Sequence, residues 1–249
     1  MPSCGYMRIA VVSDIHGNLT AFEAVLADLR ETSPDLILHG GDLADAGSSP
    51  AEIVDRIRDL GWQGVLGNAD EMLVSPESLT EFASQSPQLQ ALWTAVEEIA
   101  SATREALGDH RIAWLRELPR VQLHGPIALV HASPATTWRA PAHTAGDADL
   151  HSVYSPLGRA IAVYAHIHVS FIRSVPCRDS EMIVANTGSV SLSYDGDPRA
   201  AYLVLDDLRP SIRRVAYDIA KEVKALSSSR LPHADWVVKM IQNAVPQMP

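Results

Sequence analysis

The chain has 249 residues and a mass of 27.0 kDa, with 47% hydrophobic and 20% charged residues, a balance that builds a core and excludes a solvated tail as the main state. Area scaling gives about 70% burial on folding, enough for one large α/β domain. Twenty Lys and Arg against thirty Asp and Glu leave a net charge of −10, which excludes the positive field that would coat nucleic acid or an anionic membrane.

In chain order, residues 8–12 are a short apolar run ending in a polar turn and predict a buried strand. Leu19, Phe22, Val25, Leu26 and Leu29 follow at spacings of three and four, so residues 18–30 predict an amphipathic helix stopped by Pro34. Residues 36–39 predict a second strand, Pro50 opens a helix carrying Ile53, Val54 and Ile57, and residues 63–66 predict a third strand. This alternation predicts a parallel sheet flanked by helices. From 71 to 119 the rhythm turns helical, through Leu89, Leu92, Trp93, Val96 and Ile99 and then a second helix starting at Asp109. That segment reads as a helical, cap-like insertion, and its eight acids against three Arg give it half of the net charge. Strands are predicted again at 121–123, 127–130, 161–164, 182–185, 201–205 and 212–216, and helices at 219–226 and 234–244 end the pattern, all within a single domain over 1–249.

Cys4 and Cys177 are spaced for neither a disulfide framework nor a zinc knuckle, which predicts a reducing, cytoplasmic compartment. The longest charge-free run, 121–138, is interrupted by His124, Gly125, Pro126, His131 and Pro134, so no membrane span is predicted. Met7 is a candidate start, because the ordered pattern begins at Arg8.

The chemistry-bearing residues stand where strands are predicted to end, the position of ligand sites in open α/β sheets. Strand one runs into Ser13-Asp14-Ile15-His16-Gly17-Asn18, strand two into Gly40-Gly41-Asp42, and strand three into Gly67-Asn68-Ala69-Asp70. His131 ends a later strand and Tyr164-Ala165-His166-Ile167-His168 another. Mixed carboxylate, imidazole and carboxamide donors in this number match the needs of two borderline divalent ions with a bridging carboxylate. Taken singly, Asp14 is also a natural helix cap, Asn68 a turn residue, and His166 with His168 a surface pair on one face of an extended segment.

Asp14-x-His16, Gly41-Asp42, Gly67-Asn68, His131 and His166-x-His168, in this order, resemble the calcineurin-like metallophosphoesterase superfamily. Asn186-Thr187-Gly188-Ser189-Val190 further resembles its small bacterial and archaeal phosphodiesterase branch. The resemblance implies a four-layer αββα sandwich of two mixed sheets, with two divalent metal ions, Mn, Fe or Zn. Asp14, His16 and His168 would hold the first ion, Asn68, His131 and His166 the second, and Asp42 would bridge them. The implied activity is hydrolysis of small phosphodiesters or nucleotides by a metal-bridging hydroxide. Within the enzyme class the alternative is a protein phosphatase or dinucleoside-polyphosphate hydrolase. Outside it, the alternative is a protein-binding scaffold, because the superfamily includes a retromer subunit. The implied partner is a small phosphoester, with no stable nucleic-acid binding and no membrane, and a homo-oligomer is left open.

One departure stands out. Many members carry His after the Gly-Asn, thought to protonate the leaving oxygen, where this chain has Ala69. Asp70, His110 and His143 are the candidates to replace it. His39 is weighed as a group behind the ligands against a plain interior residue. His124, His151 and His233 are read as surface or turn residues, and Trp93 and Trp114 as core. Arg139, Arg159, Arg173 and Arg199 are candidate phosphate contacts, none singled out.

Overall fold

A computed structural model describes residues 7–177 and 180–249, so Cys4 lies outside the described residues. Among the described residues ten strands form two mixed five-stranded sheets. The first holds β1 (Arg8–Val12), β2 (Leu36–His39), β3 (Gln63–Gly64), β9 (Ala200–Asp206) and β10 (Arg209–Val215), in the order β10-β9-β1-β2-β3. The second holds β4 (Val121–His124), β5 (Ile127–Val130), β6 (Ile161–Tyr164), β7 (Phe171–Pro176) and β8 (Glu181–Asn186), in the order β4-β5-β6-β8-β7. β1, β2 and β3 are mutually parallel, as are β5, β6 and β8, while β1 with β9, β9 with β10, β4 with β5 and β7 with β8 pair antiparallel.

Strand alternation divides the interior into layers. Ile9, Val11, Leu203 and Leu205 of one sheet meet Leu129, Ile161, Val163 and Ala185 of the other in a core between the sheets. The intervening Ala10, Val12, Tyr202 and Val204 face outward, onto Phe22 and Val25 of α1 (Leu19–Thr32) and Ile53 and Ile57 of α2 (Pro50–Leu60). Behind the second sheet, Ala162, Tyr164 and Val184 pack on Leu150 and Tyr154 of α6 (Asp147–Tyr154). Helix, sheet, sheet, helix is the four-layer arrangement that the family resemblance implies.

Local chemistry fixes the helix ends. The Asn18 side chain accepts a hydrogen bond from the Ala21 amide and caps α1, and Pro50 opens α2, where its missing N–H costs nothing. Between β3 and β4 the chain forms α3 (Asn68–Val74), α4 (Glu77–Ala83) and α5 (Gln90–Arg116). Gly108, at φ 67° and ψ 168°, breaks α5 next to the predicted second helix start at Asp109. The last helices are α7 (Ile219–Ser228) and α8 (Ala234–Asn243).

Some expectations are corrected. β3 is two residues long rather than four. Asn68 begins α3 instead of a loop, so the helical insertion starts three residues earlier than expected, and α6 and β7 were not anticipated. α6 buries only Leu150 and Tyr154, too few to show a period, and edge strand β7 interleaves Arg173 and Ser174 with its apolar residues. Among the described residues no helix is long and apolar enough to cross a membrane.

Candidate metal centre

Because β1, β2 and β3 run parallel in one sheet and β5 and β6 in the other, the loops at their carboxyl ends gather along one rim. All seven residues singled out from the sequence stand there. Asp14, His16, Asp42, His131 and His168 are buried, and Asn68 and His166 half-buried.

The loops are tied to one another by main chain. The Asp14 amide donates to Gly41 O (3.0 Å), and the Ile15 and His16 amides both donate to Asp42 O (2.9 and 3.0 Å). Ser189 Oγ donates to Asp14 O (2.9 Å), which fixes the turn after β8 against the turn after β1. This bracing holds an unusual backbone: Asp14, His16, Asp42, His166 and His168 all have φ between 46° and 69°, the left-handed region that costs a side-chain-bearing residue about 1–2 kcal/mol. Gly67 must be glycine for another reason, since a Cβ there would come within 2.0 Å of Asp42 Oδ1.

Three imidazoles are oriented in the same way. Nδ1 lies 3.0 Å from Asp45 O in His16, 2.7 Å from Gly40 O in His131 and 2.6 Å from Leu192 O in His168. A carbonyl only accepts, so Nδ1 carries the proton in each neutral ring and the Nε2 lone pair faces the centre. There His16 Nε2 and His168 Nε2 lie 3.4 Å apart, close enough to share one cation. One ligand atom each from Asp14, His16, Asp42 and His168 fall within 4.8 Å of one another. Beside them, Asn68 Oδ1 lies 2.9 Å from His131 Nε2 and 2.7 Å from His166 Nδ1.

Asp42 stands between the two groups. Its Oδ1 accepts the Ala69 amide (2.8 Å), while Oδ2 lies 3.7 Å from His16 Nε2 and 3.4 Å from His131 Nε2. Asp14 divides its oxygens likewise, Oδ2 accepting Ser13 Oγ (2.6 Å) and Oδ1 lying 3.1 Å from His168 Nε2. Burial opposes the charge on both carboxylates, yet the imidazoles outweigh it: His131 holds Asp42 well below the usual range, and His168 lowers Asp14. Burial also favours a neutral His131, but the Asp42 carboxylate wins and raises its pKa. His16 is pushed down by burial, and His166 to about 4 by burial and by His131. Buried, anionic carboxylates among neutral and paired imidazoles form a donor set suited to divalent cations.

The other candidates fall elsewhere. Asp70 is beside the centre, but its carboxylate accepts three amides, Asp42 N (2.7 Å), Leu43 N (3.0 Å) and Gly67 N (3.1 Å), so it clamps two ligand loops together. Burial and then Asp42 push its pKa up to about 6. His110 on α5 and His143 after β5 are exposed and do not line the centre. His39 is fully buried against Trp114 with both ring nitrogens unpartnered, so it is interior but not satisfied, and burial lowers it to about 4. His124 ends β4, His151 is half-buried on α6 and His233 is an exposed residue paired with Glu98. Trp93 and Trp114 pack on the helical core as expected. Arg139 bonds Gln85, Arg159 its neighbour Gly158 O, Arg173 the carbonyls of His143 and Ala145, and Arg199 Asp197.

Sequence reasoning missed Asp45 and Tyr194. Asp45 lines the cavity beside the centre with Oδ1 unpartnered, its pKa pushed up to about 8 by burial and then by Asp42. Tyr194 stacks on His168 with ring centroids 4.6 Å apart. An Asp three residues after Asp42 was the one available signal, and nothing in the sequence marked Tyr194.

An α/β sandwich with a buried Asp and His cluster at its strand ends defines a protein suited to divalent metal. The comparisons then give the family. A model of the calcineurin-like phosphoesterase family matches residues 7–170, and the chain belongs to that family as a hydrolase of phosphoesters. An uncharacterized protein of Methanocaldococcus jannaschii is 30% identical over 248 residues, covering 92% of this chain and 95% of its own. A symmetrical bis(5'-nucleosyl)-tetraphosphatase of Aromatoleum aromaticum is 30% identical over 137 residues, covering 54% of this chain and 47% of its own. Among solved structures, a metallophosphoesterase from Sphaerobacter thermophilus superposes with a TM-score of 0.78 at 24% identity, covering 97% of this chain and all of that one.

Proposed function

We propose that this chain hydrolyses small phosphodiesters or nucleotides at a centre of two divalent cations. Asp14, His16 and His168 would hold the first, Asn68, His131 and His166 the second, and Asp42 would bridge. The observation that carries the reading is the single Asp42 Oδ2 facing His16 Nε2 and His131 Nε2 at 3.7 and 3.4 Å, while Oδ1 is bound to the Ala69 amide. When bound, such a pair of ions lowers the pKa of water towards neutrality and neutralises phosphoryl oxygens.

The chain's own residues do the rest. Backbone carbonyls aim three imidazoles, Asp70 holds the Asp42 and Gly67 loops in register, and Tyr194 stacks against His168. The helical segment between β3 and β4 acts as a roof, since Leu92, Val96 and Ile99 of α5 line the cavity that holds the cluster. All seven donor positions keep competent side chains, which argues against the protein-binding scaffold. The dinucleoside-polyphosphate reading draws support from the name of the Aromatoleum relative over part of the chain.

The test is metal analysis with a bis-p-nitrophenyl phosphate assay across Mn²⁺, Ni²⁺, Zn²⁺ and Mg²⁺. Two equivalents of metal and metal-dependent turnover are expected. One equivalent at saturation would remove the bridge, and no turnover with any ion would leave the scaffold.

A further inference from the structure

The donor cluster lines a cavity of about 360 Å³, at the small end for a ligand site. Its wall opposite the donors is apolar and comes from two distant parts of the chain. Leu92 and Val96, one turn apart and half-buried on α5, form one side, while Trp236 and Met240 of α8 form the other. Met248, 59% exposed, stands at the mouth. The segment after α8 is fastened there: Trp236 Nε1 donates to Gln247 O (2.9 Å), and the Gly196 amide donates to Ala244 O (3.0 Å).

The charge of the lining is equally one-sided. Among the described residues no Lys or Arg lines the cavity, and the ionisable groups beyond the donor cluster are the acidic Asp45 and the phenol of Tyr194. Arg139, Arg173 and Arg199 are each engaged by protein partners outside it. A phosphoryl group at the donor cluster is served by the cations that the cluster would hold. A second or third phosphate of the same substrate would lie against Leu, Val, Trp and Met with no counter-charge, desolvated without compensation.

We infer that the cavity is a subsite for the apolar, aromatic alcohol portion of a substrate carrying one phosphoryl group, and that it disfavours polyphosphates. The inference rests on the phosphoesterase reading above and selects within it, against the dinucleoside-polyphosphate alternative. The aromatic portion packs between α5 and the Trp236 face of α8, where burial of apolar surface supplies affinity and no ion pair is needed.

The experiment uses the full chain loaded with Mn²⁺ and compares kcat/KM for 1-naphthyl phosphate with that for a dinucleoside tetraphosphate. Val96→Asp and the milder Val96→Ala are run beside the native chain, with metal content and circular dichroism recorded for each. A second readout is titration of the metal-free proteins with 1-naphthol, which has no phosphoryl group. The naphthyl ester is expected to be preferred by about tenfold or more. Val96→Asp should raise its KM and abolish 1-naphthol binding with metal content unchanged, and Val96→Ala should do the same in part. Preference for the tetraphosphate, or unaltered KM and 1-naphthol binding in both folded variants, overturns the subsite and leaves the phosphoesterase reading standing. No turnover of either substrate or of bis-p-nitrophenyl phosphate with any cation overturns that reading, and the subsite assignment with it.

Discussion

The rim that carries the donors and the wall that faces it are built on opposite plans. At the rim, seven polar side chains from five strand ends are held by main-chain hydrogen bonds, and five of them adopt left-handed backbone that the surrounding loops must enforce. The wall is apolar side chains on α5 and α8, positioned by helix packing and touching the centre through a cavity. The contrast teaches that chemistry and selectivity are separately encoded here. A change at the rim should strike metal and turnover together, whereas a change in the wall should alter which ester is preferred.

The sharpest way to break this division is Asp42→Asn. Its Oδ2 faces both donor groups, so the variant should lose most bound metal and nearly all turnover, measured by metal analysis and by the bis-p-nitrophenyl phosphate rate. Two metals and near-native turnover would remove the bridge and with it the claim that the rim is indivisible.

The next effect comes from Ala69. It is buried, its amide is spent on Asp42 Oδ1, and its methyl group donates no proton. A positioned proton donor is worth about 10²–10⁴ to a poor leaving group, so aryl esters should outrun alkyl esters steeply in a plot of rate against leaving-group pKa. A flat plot, with chemistry shown to limit the rate, would reveal a donor on the wall and blur the two regions.

Asp70→Asn probes how the rim is braced. With one acceptor oxygen in place of two, it cannot serve the amides of Asp42, Leu43 and Gly67 together. Metal affinity should fall by roughly 10–100-fold, the usual range for a group behind a ligand, at little cost to ester preference. Unchanged affinity by calorimetric titration would mean that the Ile15 and His16 amides on Asp42 O hold the loop unaided.

The smallest effect belongs to a control remote from both regions. Asp28 on α1 accepts Tyr202 OH (2.6 Å) and Arg213 Nη2 (2.6 Å). Burial raises its pKa, but the Arg213 and Tyr202 hydrogen bonds outweigh this and leave it depressed. Its stabilising contribution is therefore present above the ordinary value of 3.8 and is lost as pH falls through the depressed one. Asp28→Asn should lower the thermal midpoint by the equivalent of about 0.2–1 kcal/mol at pH 7, with the gap closing in acid and metal content unaffected. A gap that persists below the depressed value would assign the loss to packing rather than charge.

Legibility in the sequence follows the same contrast. The strands β1, β2, β5 and β6 were readable because buried parallel strands are short apolar runs. The donors were readable because His, Asp and Asn directly after such runs have few other reasons to recur in that order. α6, β7 and the helical start at Asn68 were not, since two buried side chains or an edge strand's mixed pattern leave no period to detect.

The sequence by itself determined the alternation of strands and helices, the order of the donors along the chain and, through the family resemblance, the four-layer frame and the missing imidazole at Ala69, because each depends on residue type at a position along one strand or turn. Tertiary structure alone decided that Asp42 offers one oxygen to both donor groups and that Asp70 is a clamp, since those roles depend on which backbone amides arrive from other loops. It alone also decided that α5 meets α8 across the centre. A row of Leu, Val, Trp and Met has the same pattern whether it covers a core or lines a cavity, and only the position of the facing helix distinguishes the two.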